Sequence, residues 1–443
     1  MFRRLTGSLV FVLLFAILVT PVLATEYDLN GRTIRIASHE AEGMKGYFGS
    51  GDGRGRVASV EEAFNVKIEF VPLTWDGAVD SMLTSIIAGD PVGDLLFINN
   101  RWLPQLAGQG ALLPLDDVLT EEYYASLPGS HSKMRELYST FQGQAYGISL
   151  NGSFPRNMDI GSGQGWIYNK AMLQEEGLED LYELQRRGEW TWEAMKEYAI
   201  RLTKDADGDG KIDQYGVGGR LDPWPVEQEL FAYANGGGLM KYDANGKAVY
   251  ALNDPAAIEA IELWKELDQV HGAVMVGDLY NVREEFNRGN VAMFRLDLFG
   301  LPDHAQQVDF EYGWVFIPKG PRAEDYVNPV WGFDMFVLPI TEKEPEALVA
   351  LVDMLFETTG NYRDLSKYED EFVDYFMPFV HDWDALDTIR DMLNKAVLWD
   401  NVELSENARL ALVRATMESG SAKSELDAIA PEVQAALDML YNK

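Results

Sequence analysis

Short strand-like runs alternate with helix-patterned segments from the first ordered-looking residues of this chain onward. That alternation constrains the fold more than any single motif. Arg32 to Ser38 (RTIRIAS) reads as a strand, Val57 to Phe64 as a helix, and Val66 to Val71 (VKIEFV) as a second strand. Asp80 to Ala88 has helical spacing, and Asp94 to Ile98 (DLLFI) reads as a buried strand running into Asn99-Asn100-Arg101-Trp102. Such a sequence predicts an α/β architecture with mostly parallel sheets flanked by helices. The stretch Gly43 to Gly55 reads as a glycine-rich loop; its glycines lack the GxGxxG spacing of a dinucleotide site.

The texture changes near Tyr146-Gly147-Ile148, where a mostly uncharged loop, Asn151 to Gly165, begins. Helices dominate from Lys170 to Leu267, including Trp192–Leu202 and Pro255–Leu267. Strands return at Val291–Phe294, Tyr312–Ile317 and Phe333–Leu338, and Glu344 to Leu440 reads as mostly amphipathic helix. The simplest partition of 443 residues is two lobes. Residues 25–148 plus 328–365 would form the first, and residues 149–327 plus 366–443 the second. Ligands of open α/β sheets sit beyond the carboxyl ends of strands, and a cleft between two lobes collects such ends from both sides.

The amino terminus has its own character. Arg3 and Arg4 precede the apolar run Leu9 to Val19, and Val22-Leu23-Ala24 offers a cleavage site before Thr25. Residues 1–24 are therefore expected to be a signal peptide of an exported protein, since a run of 11 is short for the about 20 residues that span a bilayer. The chain has no cysteine, which removes lipid attachment through a lipobox, disulfides and thiolate metal sites. With 71 acidic against 37 basic residues the net charge is −34, so nucleic acid and anionic lipid are poor partners.

The sharpest motif is Asp205-Ala-Asp207-Gly-Asp209-Gly210-Lys211-Ile212-Asp213. Carboxylates at positions 1, 3, 5 and 9, glycine at 6 and a carbonyl at 7 (Lys211) match an EF-hand type calcium loop. Position 12 departs, being Gly216 rather than glutamate. A structural Ca2+ on Asp205, Asp207, Asp209, Lys211 and Asp213 is the expectation, set against a solvated acidic turn.

Aromatic residues make up 12% of the chain, with eleven tryptophans. Trp75, Trp102, Trp166, Trp224 and Trp331 fall at loops or strand ends, where an indole can stack on the apolar face of a sugar ring; burial in a core is the competing reading. Polar groups near them in sequence are Asp76, Asn99, Asn100, Arg101, Asn151 and Asp334. The five histidines are scattered without an HxxxH pair, and there is no GxSxG elbow or P-loop, so no catalytic set is marked out.

Landmarks recur in a family's order: Asp94-Leu-Leu-Phe97, Gly110-Ala-Leu-Leu-Pro-Leu115, Ile167-Tyr-Asn-Lys170, Glu189-Trp-Thr-Trp-Glu193, the acidic loop, Phe286-Asn-Arg-Gly289-Asn-Val-Ala-Met293 and Tyr312-Gly-Trp-Val-Phe-Ile-Pro-Lys319. In these the chain resembles bacterial extracellular solute-binding proteins of family 1, the group that includes maltose-binding protein. The resemblance implies a two-lobed, type II periplasmic-binding-protein-like fold without catalytic activity. It implies a monomer in the periplasm or outside the cell that closes on a carbohydrate and passes it to the permease of an ABC transporter. Hinges would lie near Tyr146–Leu150, Tyr326–Trp331 and residues 360–370. Matched by position, Glu40, Lys45, Tyr47, Asn99, Asn100 and Arg101 would line the first lobe, with Trp331 after the returning hinge. Trp224, Asp297 and Phe299 would line the second. The family often has aspartate where Arg101 stands and tryptophan where Phe299 stands. Arg101 could pair with an acidic group of the solute, uronate for instance, or with an acid of the protein.

Overall fold

The computed structural model describes residues 27–49, 56–125, 139–149, 163–221, 225–330, 334–356, 365–398 and 406–442. They build two principal sheets, each inside its own hydrophobic core. The first sheet has the strand order Val66–Pro72, Arg32–Ser38, Leu95–Asn99, Asp334–Val337, Ile148–Ser149. Its centre is apolar on both faces because side chains alternate with a period of two. Leu95 and Phe97 pack with Val60, Phe64 and Leu351 on one side. Leu96 and Ile98 pack with Met82, Ile86 and Leu106 on the other. This is why residues 95–98 read as an unbroken apolar run.

The second core surrounds the strand Gln164–Asn169, which pairs with Met293–Asp297 and Tyr312–Phe316. Beside it the strands Val217–Gly219 and Val274–Val276 form a parallel pair. Helices Trp192–Leu202, Val226–Ala234 and Pro255–Gln269 cover this sheet. Thr191 starts the first of them, its hydroxyl accepting from the Ala194 amide.

The sheets are mostly parallel, as the sequence predicts, with one strand in each running against the others. In the first, Asp334–Val337 runs antiparallel to both neighbours, and in the second, Gln164–Asn169 does. Each of these strands follows a crossing of the chain from the other lobe. It enters its sheet at the cleft end, so its direction opposes strands whose carboxyl ends point there.

Two differences from the sequence expectation have simple causes. Residues Ala41–Gly49 form a helix, although glycine-rich, because Ala41 and Met44 are buried and core burial outweighs weak helix propensity. Ala396–Leu398 is a strand in the otherwise helical carboxyl-terminal region, pairing in parallel with Asn328–Val330. The terminal helix Ala422–Leu440 ends in Tyr441, whose ring lies 5.6 Å from Phe141 of the first core. Asn442 beside it bonds both the amide and the carbonyl of Ala248, at 2.8 and 2.9 Å. No described helix is long and apolar enough to cross a membrane. The expected signal peptide lies outside the described residues.

Candidate functional site

Ser38 and Asn99 are the last residues of adjacent parallel strands, and both are buried. Asp334, the first residue of the antiparallel neighbour, stands opposite Asn99 in register. The Asn99 amide nitrogen donates to Asp334 Oδ1 at 2.9 Å. Its Oδ1 accepts from the Arg101 backbone amide at 3.3 Å and from Arg101 Nε at 3.0 Å. One amide therefore orients a carboxylate and a guanidinium together. Burial holds the Asp334 carboxyl above the usual aspartate range, opposed by the Asn99 hydrogen bond and by the nearby charges of His39 and Arg101.

Aromatic rings close this first wall. The Arg101 guanidinium sits 5.3 Å above the Trp75 ring. Trp75 also packs against Trp102 at 4.7 Å and His39 at 4.8 Å, yet keeps 40% of its surface exposed. The result is a partly solvated indole beside a fixed set of polar groups.

The second wall repeats the arrangement. Arg220 follows the carboxyl end of Val217–Gly219, Asp278 and Tyr280 follow Val274–Val276, and Asp297 ends Met293–Asp297. Gln164 opens the antiparallel strand that lies between Met293–Asp297 and Tyr312–Phe316. Arg295 and Glu227, each 4% exposed in their side chains, form an ion pair at 3.2 Å, and Arg295 Nη1 also donates to Gln164 Oε1. Glu227 Oε2 accepts from the Arg220 backbone amide at 2.7 Å. Burial raises the Glu227 carboxyl while Arg295 draws it back. On the rim Tyr280 and Phe299 are 73% and 80% exposed. The walls are close along the chain: Asn328, which accepts from the Gln164 amide at 3.0 Å, is six residues before Asp334. Six residues span at most about 21 Å.

A sequence profile described as bacterial extracellular solute-binding protein matches residues 51–362. The chain belongs to that family. A protein of Brucella abortus (strain 2308) and one of Brucella suis biovar 1 (strain 1330) are each 24% identical to it over 301 residues. That stretch covers 66% of this chain and 65% of each relative, just short of two thirds of their length. Among solved structures, the GacH receptor of Streptomyces glaucescens, studied with acarbose, superposes with a TM-score of 0.62 at 17% identity, covering 92% of this chain and 99% of that one. UgpB of Mycobacterium tuberculosis, in complex with glycerophosphocholine, gives 0.63 at 18% identity, covering 92% and 98%. MalE of Bdellovibrio bacteriovorus, bound to maltotriose, gives 0.59 at 16%, covering 93% and 100%. These likenesses show the two-lobed fold.

In this solute-binding protein the sequence candidates separate clearly. Trp75, Asn99, Arg101 and Asp334 assemble on the first wall, with Asn100 half-buried and Glu40, Lys45 and Asp76 exposed around it. Asp297 and Phe299 lie on the second. Asn151, Trp224, Trp331 and the side chain of Tyr47 lie outside the described residues. Trp166 is corrected: it is fully buried, 5.7 Å from Phe231 and 6.3 Å from Trp264. All six residues of Gln164–Asn169 are buried, so that strand has no solvent face for an indole to occupy. Sequence reasoning missed His39, Arg220, Tyr280, Arg295 and Gln164. For His39, Arg220, Tyr280 and Gln164 the available signal was a position at or shortly beyond a strand end; Arg295 is the middle residue of its strand and carried no such signal.

The acidic loop folds as an exposed turn in which Asp205, Asp207 and Asp209 also accept from backbone amides of the loop. Carboxylate oxygens of Asp205, Asp207 and Asp209 lie within 4.8 Å of one another. Gly210, at the sharp turn, has φ +86°. Asp213 is turned to the loop backbone, where Oδ2 accepts from the Ala206 amide at 2.8 Å. Gly216 has a structural reason to lack a side chain, since a Cβ there would stand 1.9 Å from the Ala199 carbonyl oxygen. The backbone of helix Trp192–Leu202 thus occupies the space a glutamate would need. The three converging carboxylates fit a hard divalent cation.

Proposed function

We propose that this protein captures an oligosaccharide between its lobes and hands it to an ABC importer without altering it chemically. The observation that carries this reading is the pairing of a partly exposed indole, Trp75, with fixed donors and acceptors at Asn99, Arg101 and Asp334. Sugar rings present apolar C–H faces to such a ring and hydroxyls to such neighbours. Exposed Tyr280 and Phe299 would meet the ligand from the other side, and closure would be a hinge motion that the bridging ligand stabilises. Structures of the same fold that hold acarbose or maltotriose support the choice of solute class.

The proposal includes export as a monomer after cleavage near Ala24, and a structural Ca2+ held by Asp205, Asp207 and Asp209, with Lys211 and Asp213 completing the loop. The cation would neutralise mutually repelling carboxylates and tie the helix end at Leu202 to the strand at Val217.

A thermal-shift screen of the chain from Thr25 against mono- and oligosaccharides, with calcium or a chelator, tests the whole reading. A ligand at one hundred times its dissociation constant adds about 2.7 kcal/mol of stability. A shift with one saccharide group and no new products on chromatography supports capture without chemistry. Released products would replace it with a hydrolase or lyase, and silence across all sugars with a binder of another solute. An unchanged melting temperature on chelation would remove the calcium.

A further inference from the structure

Arg220 stands apart from the other buried or half-buried cations of the second wall. Its backbone amide is bonded to Glu227, but its guanidinium makes no hydrogen bond or ion pair among the described residues, and its Nε is buried without a partner. Among the described residues, the acids that act on it, Glu227 and Asp278, are already engaged. Glu227 is shared between the Arg220 backbone and Arg295. Asp278 caps a helix through the Asn281 amide at 2.9 Å.

A buried donor left unpaired costs about 1–3 kcal/mol. A ligand that pairs with the group removes that cost. A guanidinium has donors only, so its best complement is a group with acceptors only, and a planar oxyanion matches its fork in two parallel bonds. A hydroxyl, which must also place its own proton, matches less well. Resting on the saccharide reading above, we infer that the solute carries an oxyanion, a uronate carboxylate or a phosphate ester, and that Arg220 receives it. Burial presses the Arg220 guanidinium toward its neutral form and Arg295 adds to that pressure, while Glu227 opposes it. An arriving anion relieves both. Tyr280, exposed on the rim, is within electrostatic range of Arg220.

The test is calorimetric titration of the chain from Thr25 with matched probes: digalacturonate and a hexose phosphate against the corresponding neutral disaccharide and hexose. Wild type is expected to prefer an anionic probe at least tenfold. Arg220→Gln should abolish that preference, weakening the anionic probe by at least tenfold more than its neutral counterpart; which anionic arm responds separates carboxylate from phosphate. Should Arg220→Gln fail to fold, Arg220→Lys, which keeps charge and loses the fork, should reduce the preference. Neutral probes that bind as tightly as anionic ones, or a preference that survives in Arg220→Gln, would overturn the inference and leave the saccharide reading standing. Absence of binding to any saccharide, neutral or anionic, would remove both.

Discussion

Asn99 and Asp334 are 235 residues apart in sequence and face each other across an antiparallel register, joined by a 2.9 Å hydrogen bond. The bond keeps a carboxylate in place where burial disfavours its charge. Asp334 accordingly has a folded pKa above its unfolded value. Its desolvation cost is absent below the unfolded pKa near 3.8 and is fully present once pH exceeds the raised folded value. Asp334→Asn should therefore melt higher than wild type at pH 7, with the difference vanishing as pH falls below about 4. The same change should weaken solute binding about tenfold, by loss of a charged hydrogen bond. A variant less stable than wild type at neutral pH would contradict this account.

Trp75 and Trp166 should behave in opposite ways. Trp75→Ala is expected to reduce affinity by roughly 1 kcal/mol or more while leaving the melting curve nearly unchanged. Trp166→Ala opens the core beside Phe231 and Trp264 and should cost about 3–5 kcal/mol of stability. Parallel titration and denaturant unfolding of the two variants check the contrast.

His304 is fully buried among Phe286, Phe294 and Tyr312, and neither ring nitrogen has a partner among the described residues. Burial, with Arg283 adding to it and Asp303 opposing, lowers its pKa to about 3. The unfolded imidazole binds a proton near 6.5 and the folded one does not. Stability should thus fall by up to about 1.4 kcal/mol per unit as pH drops from 6.5 toward 3. His304→Leu should flatten that part of the pH profile. Curves that stay parallel over the window would show that another group governs acid sensitivity.

Gly216→Ala would drive a methyl group into the Ala199 carbonyl. Because the obstacle is helix backbone, the loss should be about 1–3 kcal/mol or more. Chemical denaturation measures it; a neutral effect would mean that the helix end moves aside.

Much of this was readable before any coordinates. Residues 95–98 announced a central strand by being apolar without interruption, and Trp192–Leu202 announced a helix by its spacing and the Thr191 cap. Asn99, Arg101 and Asp334 were found because they adjoin strands the pattern made plain. What stayed hidden depends on partners distant in the chain. The three residues Ala396–Leu398 become a strand only by pairing with Asn328–Val330, 68 positions earlier. Trp166 is core because strands on both sides bury it. The isolation of the Arg220 guanidinium among the described residues emerges only once Glu227 and Asp278 are seen to be engaged elsewhere.

The burial of Trp166, Trp190, Trp264 and Trp314, all with no exposed surface, has a spectroscopic consequence. These four indoles emit from an apolar interior and are shielded from quenchers in the solvent. Solute arriving at the first wall would reach Trp75, whose ring is exposed and whose emission is sensitive to a stacked sugar and to the guanidinium above it. Ligand titrations followed by fluorescence should therefore show a small change on a large blue-shifted background. Iodide or acrylamide quenching in the presence and absence of solute should isolate the responsive fraction.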